Sequence, residues 1–80
     1  MPTVLRVDGF RFFFYSAEVN EPAHIHVRKA GNQCKYWLSP VAFAKQERGK
    51  FSPVSIKKIE MIINNHHAYL IEAFNEYHNG

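Results

Sequence analysis

Thr3-Val4-Leu5-Arg6-Val7-Asp8-Gly9-Phe10-Arg11-Phe12-Phe13-Phe14-Tyr15-Ser16 contains two runs of β-branched and aromatic residues separated by Asp-Gly. Such runs suit a pleated, half-buried surface, and Asp-Gly tolerates the two successive positive φ angles of a tight hairpin turn. A hairpin of Thr3–Val7 and Phe10–Ser16 is therefore predicted. A polar stretch, Ala17 to Pro22, leads to a second strand pair, His24–Lys29 and Gln33–Leu38, joined through Ala30-Gly31-Asn32. Ser39-Pro40 is expected to end the sheet. Val41 to Lys50 suits a short helical turn starting at Pro40 or an extended segment, the turn being preferred.

Ser52-Pro53 marks a helix start, with Ser as N-cap and Pro where its missing N–H costs nothing. Ile59, Ile62, Ile63, Tyr69, Leu70, Ala73, Phe74 and Tyr77 then recur at three- and four-residue spacing. One helix to about Tyr77 follows. The expected fold class is α+β: a four-stranded antiparallel sheet of two hairpins, with a long C-terminal helix packed on one face. Nothing in residues 1–80 suggests an internal repeat or a second domain.

An 80-residue chain has little volume for a core, so it needs large side chains. Hydrophobic residues make up 46% and aromatics 15%, which argues against intrinsic disorder. Cys34 is the only cysteine, which excludes an internal disulfide and a four-cysteine or Cys-Cys-His-His zinc module. With no signal-peptide core or membrane span in the sequence, the reading is a cytoplasmic protein without a membrane partner. Ten Lys plus Arg against seven Asp plus Glu leave +3, a mild basic excess that suits an anionic partner.

Period-two reading places Leu5 and Val7, Phe10, Phe12 and Phe14, Ile25 and Val27, and Cys34, Tyr36 and Leu38 beneath the helix. The opposite face then carries Val4, Arg6, Arg11, Phe13, Tyr15, His24, His26, Arg28, Gln33, Lys35 and Trp37. One helix covers one side of a sheet, so this second face is expected to be open. Its cations attract phosphate and its flat rings can stack on unpaired bases, a combination that suits RNA. The alternative is that the rings are covered by Val41 to Lys50 or by another protein.

Glu21-Pro22-Ala23-His24-Ile25-His26-Val27 sets two imidazoles on one side of a strand. They could bind a metal, exchange protons near neutral pH, or contact phosphate. A metal would need further donors from Glu18, Glu21, His66, His67 or His78. His66 falls on the helix's packing stripe, where a hydrogen bond to a backbone carbonyl is preferred over ligation; His67 and His78 are expected to be solvated. As acid–base catalysts, His24 or His26 would move a 2′-hydroxyl proton while Arg11, Arg28 or Lys35 stabilised the phosphorane-like charge. The stretch also partly resembles the alternating His-apolar-His-apolar-His strand of nucleotide hydrolases. Arg28, however, stands in place of the third histidine, the presumptive nucleophile. Cys34 is read as a buried small hydrophobe, and no cofactor is expected.

Pro2-Thr3-Val4-Leu5-Arg6, the run Gly9 to Ser16, Glu21 to Val27, Trp37-Leu38-Ser39-Pro40-Val41, and Ile62-Ile63-Asn64-Asn65-His66 through Leu70 and Phe74 together resemble a bacterial family of small proteins, domain of unknown function 4160. Ser39 where an acidic residue is usual, and Phe74 where Trp is common, depart from its pattern. The resemblance implies a gene neighbour encoding a second small domain and an association with toxin–antitoxin-type pairs. It therefore implies a small cognate protein and, if this chain is the toxin, an RNA or translation target, with Arg11, His24, His26 and His66 as positions to test. The reading is an interaction module binding a small cognate protein, and RNA in addition, through Arg6, Arg11, Phe13, Tyr15, Arg28, Lys35, Trp37 and His66. The alternatives are a ribonuclease-type toxin using His24 and His26, and a metal-binding module on the same pair. An open sheet edge on so small a core also offers a homodimer contact.

Overall fold

A computed structural model describes residues 3–16 and 20–79 of the chain. Five strands run in sequence order across one antiparallel sheet: β1 (Thr3–Val7), β2 (Phe10–Phe13), β3 (His24–Lys29), β4 (Asn32–Leu38) and β5 (Val41–Arg48). Two helices follow, α1 (Pro53–Asn65) and α2 (His67–Asn79). The α+β class with an antiparallel sheet matches the expectation, but there are five strands instead of four and two helices instead of one. Glu18 and Pro2, which entered the metal-ligand and family-motif readings, lie outside the described residues.

Both predicted hairpins form, each on a two-residue turn with positive φ at both positions: Asp8 (51°) with Gly9 (83°), and Ala30 (51°) with Gly31 (83°). Asn32 therefore belongs to β4, not to the turn. The third hairpin is the correction. Ser39-Pro40, in the cis form, is a turn within the sheet instead of its end, and Val41 onward returns as β5. Val41 and Phe43 lie opposite Leu38 and Tyr36, so the alternation of Val-Ala-Phe-Ala outweighs its helix compatibility once β4 offers an unpaired edge.

β5 carries two bulges. Gln33 faces Arg48 while the next residue, Cys34, faces Gln46, which leaves Glu47 as an extra residue; Ala44 is extra in the same way between Lys45 and Phe43. A third bulge makes Val4 extra in β1, between the partners of Phe13 and Phe12. For that reason Val4, read from period two as an open-face residue, packs against the core.

The core lies between the sheet and the helices. Phe10, Phe12, Phe14, Ile25, Val27, Cys34, Tyr36 and Leu38 meet Phe51, Ile59, Ile62, Ile63, Leu70 and Phe74, all buried. Ser52 caps α1, its hydroxyl accepting from the Ser55 N–H at 3.2 Å, with Pro53 following. The Tyr36 hydroxyl donates to Glu60 Oε1 at 2.8 Å and ties the sheet to α1. Burial and this carboxylate both raise the phenol's pKa.

The single predicted helix breaks at His66, whose φ of −121° and ψ of 21° end α1. Its N–H is shared between the carbonyls of Ile62 and Ile63, at 3.1 and 3.2 Å, before α2 resumes with Leu70 N–H donating to His66 O. Asn64, Asn65 and His66 are poor helix formers in succession. Tyr69 and Tyr77, read as packing residues, are 52% and 38% exposed on α2, although the Tyr69 hydroxyl donates to Val4 O.

Two substitutions probe these local determinants. Ala30→Asn keeps the turn's positive φ with a residue that tolerates it, and should raise stability by on the order of 1 kcal/mol. Ser52→Ala removes the cap and should cost about 1 kcal/mol. Urea midpoints at constant m-value measure both.

Candidate functional site: the second sheet face

Every residue of β3 from His24 to Val27 is buried, so the strand is covered on both sides. The side away from the helices is covered in part by the sheet's own long side chains, and Phe74 of α2 meets the His24 ring. Phe13, His24 and His26 are fully buried there, Gln33 and Lys35 nearly so, and Tyr15 and Trp37 half-buried. This corrects the reading of the face as an open aromatic platform. Its rings are internal packing, and Phe13 offers no surface on which a base could stack.

The rings interlock. Phe13 stacks on His26 at 5.6 Å between centroids, Tyr15 meets His26 edge-on at 4.5 Å, and His24 meets His26 and Trp37 edge-on at 5.2 and 6.0 Å. His24 Nδ1–H donates to the Pro22 carbonyl at 2.9 Å, and its ring also contacts Phe74 of α2. His26 Nδ1–H donates to Glu47 Oε1 at 2.7 Å.

Among the described residues, two carboxylates meet the polar groups of this layer. Glu21 pairs with Lys35, whose ammonium also lies 4.6 Å from the Trp37 ring. Glu47, directed to this face as the extra residue of a bulge, holds His26 and also accepts from Gln33 Nε2 at 3.1 Å. The four predicted strands contained no acid on this face; the fifth strand supplies one.

The arginines form a line. Arg6 stands opposite Arg11, Arg11 opposite Arg28, Arg28 opposite Gln33, and Gln33 opposite Arg48, a row that crosses all five strands. Directly opposed residues share a face, and strands lie about 4.8 Å apart, so the row extends roughly 19 Å. Among the described residues no carboxylate pairs with any of these four arginines. Arg48 was missed because β5 was read as a helical turn. Its opposition to Gln33 is a tertiary fact without a local sequence signal.

The histidines on the helices each donate to a backbone carbonyl. His66 Nδ1–H donates to the Ile62 carbonyl at 3.1 Å, away from the arginine row. His67 and His78, read as solvated, are half-buried: His67 donates to Leu38 O and His78 to Phe74 O. Among the described residues no group of three or more His, Cys, Asp or Glu side chains is arranged to hold a metal ion, and no helix is long and apolar enough to cross a membrane. Cys34 is fully buried on the helix side, and burial, reinforced by Glu47, pushes its thiol up to about 12.

A family model described as Domain of unknown function (DUF4160) matches residues 9–75, and the chain belongs to that family. No curated protein and no solved structure gives a significant match.

Two measurements check this layer. Glu47→Ala removes an acceptor used by both His26 and Gln33 and should destabilise the fold by about 1–3 kcal/mol in urea titration. Because the Cys34 pKa is raised in the folded state, its contribution favours folding at neutral pH and is lost as pH climbs from about 9 towards about 12. Native protein at pH 8 should accordingly resist a thiol reagent that labels it rapidly once it is unfolded in urea.

Proposed function

We propose that this DUF4160 protein is an interaction module whose second sheet face takes the phosphate backbone of RNA, with a small acidic cognate protein competing for the same surface, as in a toxin–antitoxin-type pair. The observation that carries this reading is the row Arg6, Arg11, Arg28 and Arg48. Like charges directly opposed across strands destabilise a sheet, and no described carboxylate lies at ion-pair distance from these. A polyanion would relieve them. Arginine suits that partner because its planar fork matches phosphate geometry.

The burial pattern favours binding over cleavage. A ribonuclease using His24 or His26 must bring an imbizazole nitrogen within hydrogen-bond reach of a 2′-hydroxyl, and both rings are fully buried. The histidines serve instead as a floor that fixes the height of the sheet's surface. Contact through phosphates, without stacked bases, also implies little sequence preference.

Fluorescence anisotropy with a short labelled single-stranded RNA tests the proposal. The log of the affinity should fall with the log of salt concentration, and replacing Arg11 and Arg28 together by Gln should weaken binding and make the slope shallower by roughly 1.4. His24→Asn should leave binding nearly unchanged wherever the protein remains folded. Unchanged affinity in the double arginine variant would reject the face as the RNA site. A small acidic protein that co-purifies and displaces RNA would support the competition.

A further inference from the structure

Arg11 and Arg28 differ from the rest of the row because they share one ring. Their guanidinium carbons lie 4.8 and 5.9 Å from the centroid of Phe13, from directly opposed positions on β2 and β3. Two cations gathered over one buried ring, with no described carboxylate at ion-pair distance from either, leave an electrostatic demand at a defined place.

Arg28 is also held in a fixed pose. Its Nε and Nη2 both donate to Gln33 Oε1, at 3.0 and 2.6 Å. Gln33 cannot easily reverse its amide, because its Nε2 donates to the Tyr15 hydroxyl at 3.0 Å and to Glu47 Oε1 at 3.1 Å. A flipped amide would set its carbonyl oxygen against the Glu47 carboxylate. Gln33 is 5% exposed, so water is a poor substitute for these partners. Glu47 is anchored in turn by His26. The chain His26, Glu47, Gln33, Arg28 thus fixes a guanidinium with three of its five N–H donors still available.

We propose that Arg11 and Arg28 form a clamp for a single phosphoryl group above Phe13, with Gln33 and Glu47 as positioning residues that preset Arg28. Its place in RNA recognition rests on the function proposed above; the clamp chemistry itself does not. The ligand is a phosphate group presented with two free oxygens, either an internal phosphodiester or the terminal 5′-phosphate of a strand. The preset fork grips two oxygens from one side while Arg11 supplies charge from the adjacent strand.

The probes are pyrophosphate, followed by calorimetry, and two labelled RNAs of one sequence with and without a 5′-phosphate. Arg28→Lys preserves the charge and removes the fork, and Gln33→Leu preserves the charge and removes the preset. Both should weaken pyrophosphate roughly ten-fold, and both should weaken RNA while leaving the salt slope unchanged. Thermal melting confirms that Gln33→Leu is folded, and Arg28→Lys provides the test if it is not. Preference for the 5′-phosphorylated strand supports the clamp with a terminal ligand, and equal binding of the two RNAs with the same variant losses supports an internal one. Pyrophosphate bound tightly by the wild type and ten-fold weaker by Arg28→Lys, without RNA binding, would uphold the clamp and remove the RNA reading. RNA bound equally by wild type and Arg28→Lys would overturn the clamp and leave that reading in place. No binding of either probe would overturn both.

Discussion

The Glu47 carboxylate is the contact on which the second layer of this protein depends. A central strand buried on both faces normally demands apolar residues on both, yet β3 presents His24 and His26 on one of them. Burying imidazoles is tolerable only where their polar atoms are met. Glu47 meets His26 and Gln33 at once, and Gln33 in turn orders Tyr15 and Arg28. A one-residue irregularity in the last strand therefore stabilises side chains on β3 and β4 and on the segment that follows β2.

The result is a sheet with two unlike faces. The helix side is an ordinary apolar core, closed by α1 and α2. The other side layers rings and imidazoles below and guanidinium groups above. This division gives the small chain a base for its charges: the Arg11 and Arg28 guanidinium groups rest over the Phe13 ring.

Much of the fold could be read in the residues. Asp8-Gly9 announced its hairpin, Ser52-Pro53 the start of α1, and the alternation of Phe10, Phe12 and Phe14 the face that meets the helices. The break at His66 could not be read from periodicity, because Ile62, His66, Leu70 and Phe74 keep their four-residue spacing through it. β5 was obscured by Pro40 and by Val-Ala-Phe-Ala, which suits either state. Missing it concealed both Arg48 and Glu47, the acid that holds His26 and Gln33. The candidate residues Arg6, Arg11 and Arg28 were legible from period two alone. The burial of Phe13, His24 and His26 was not, since it depends on which long side chains fold back over them.

β1 and β5 are the outermost strands of the sheet, and each is irregular: Val4 is extra in the first, Ala44 and Glu47 in the second. Exposed Arg6, Lys45 and Arg48 add charge along the same margins. A strand from another molecule seeking to extend the ladder meets a bent, cationic border with its hydrogen-bonding groups out of step. The bulge that delivers Glu47 inward thus also acts outward, making β5 a poorer template for a strand of another molecule.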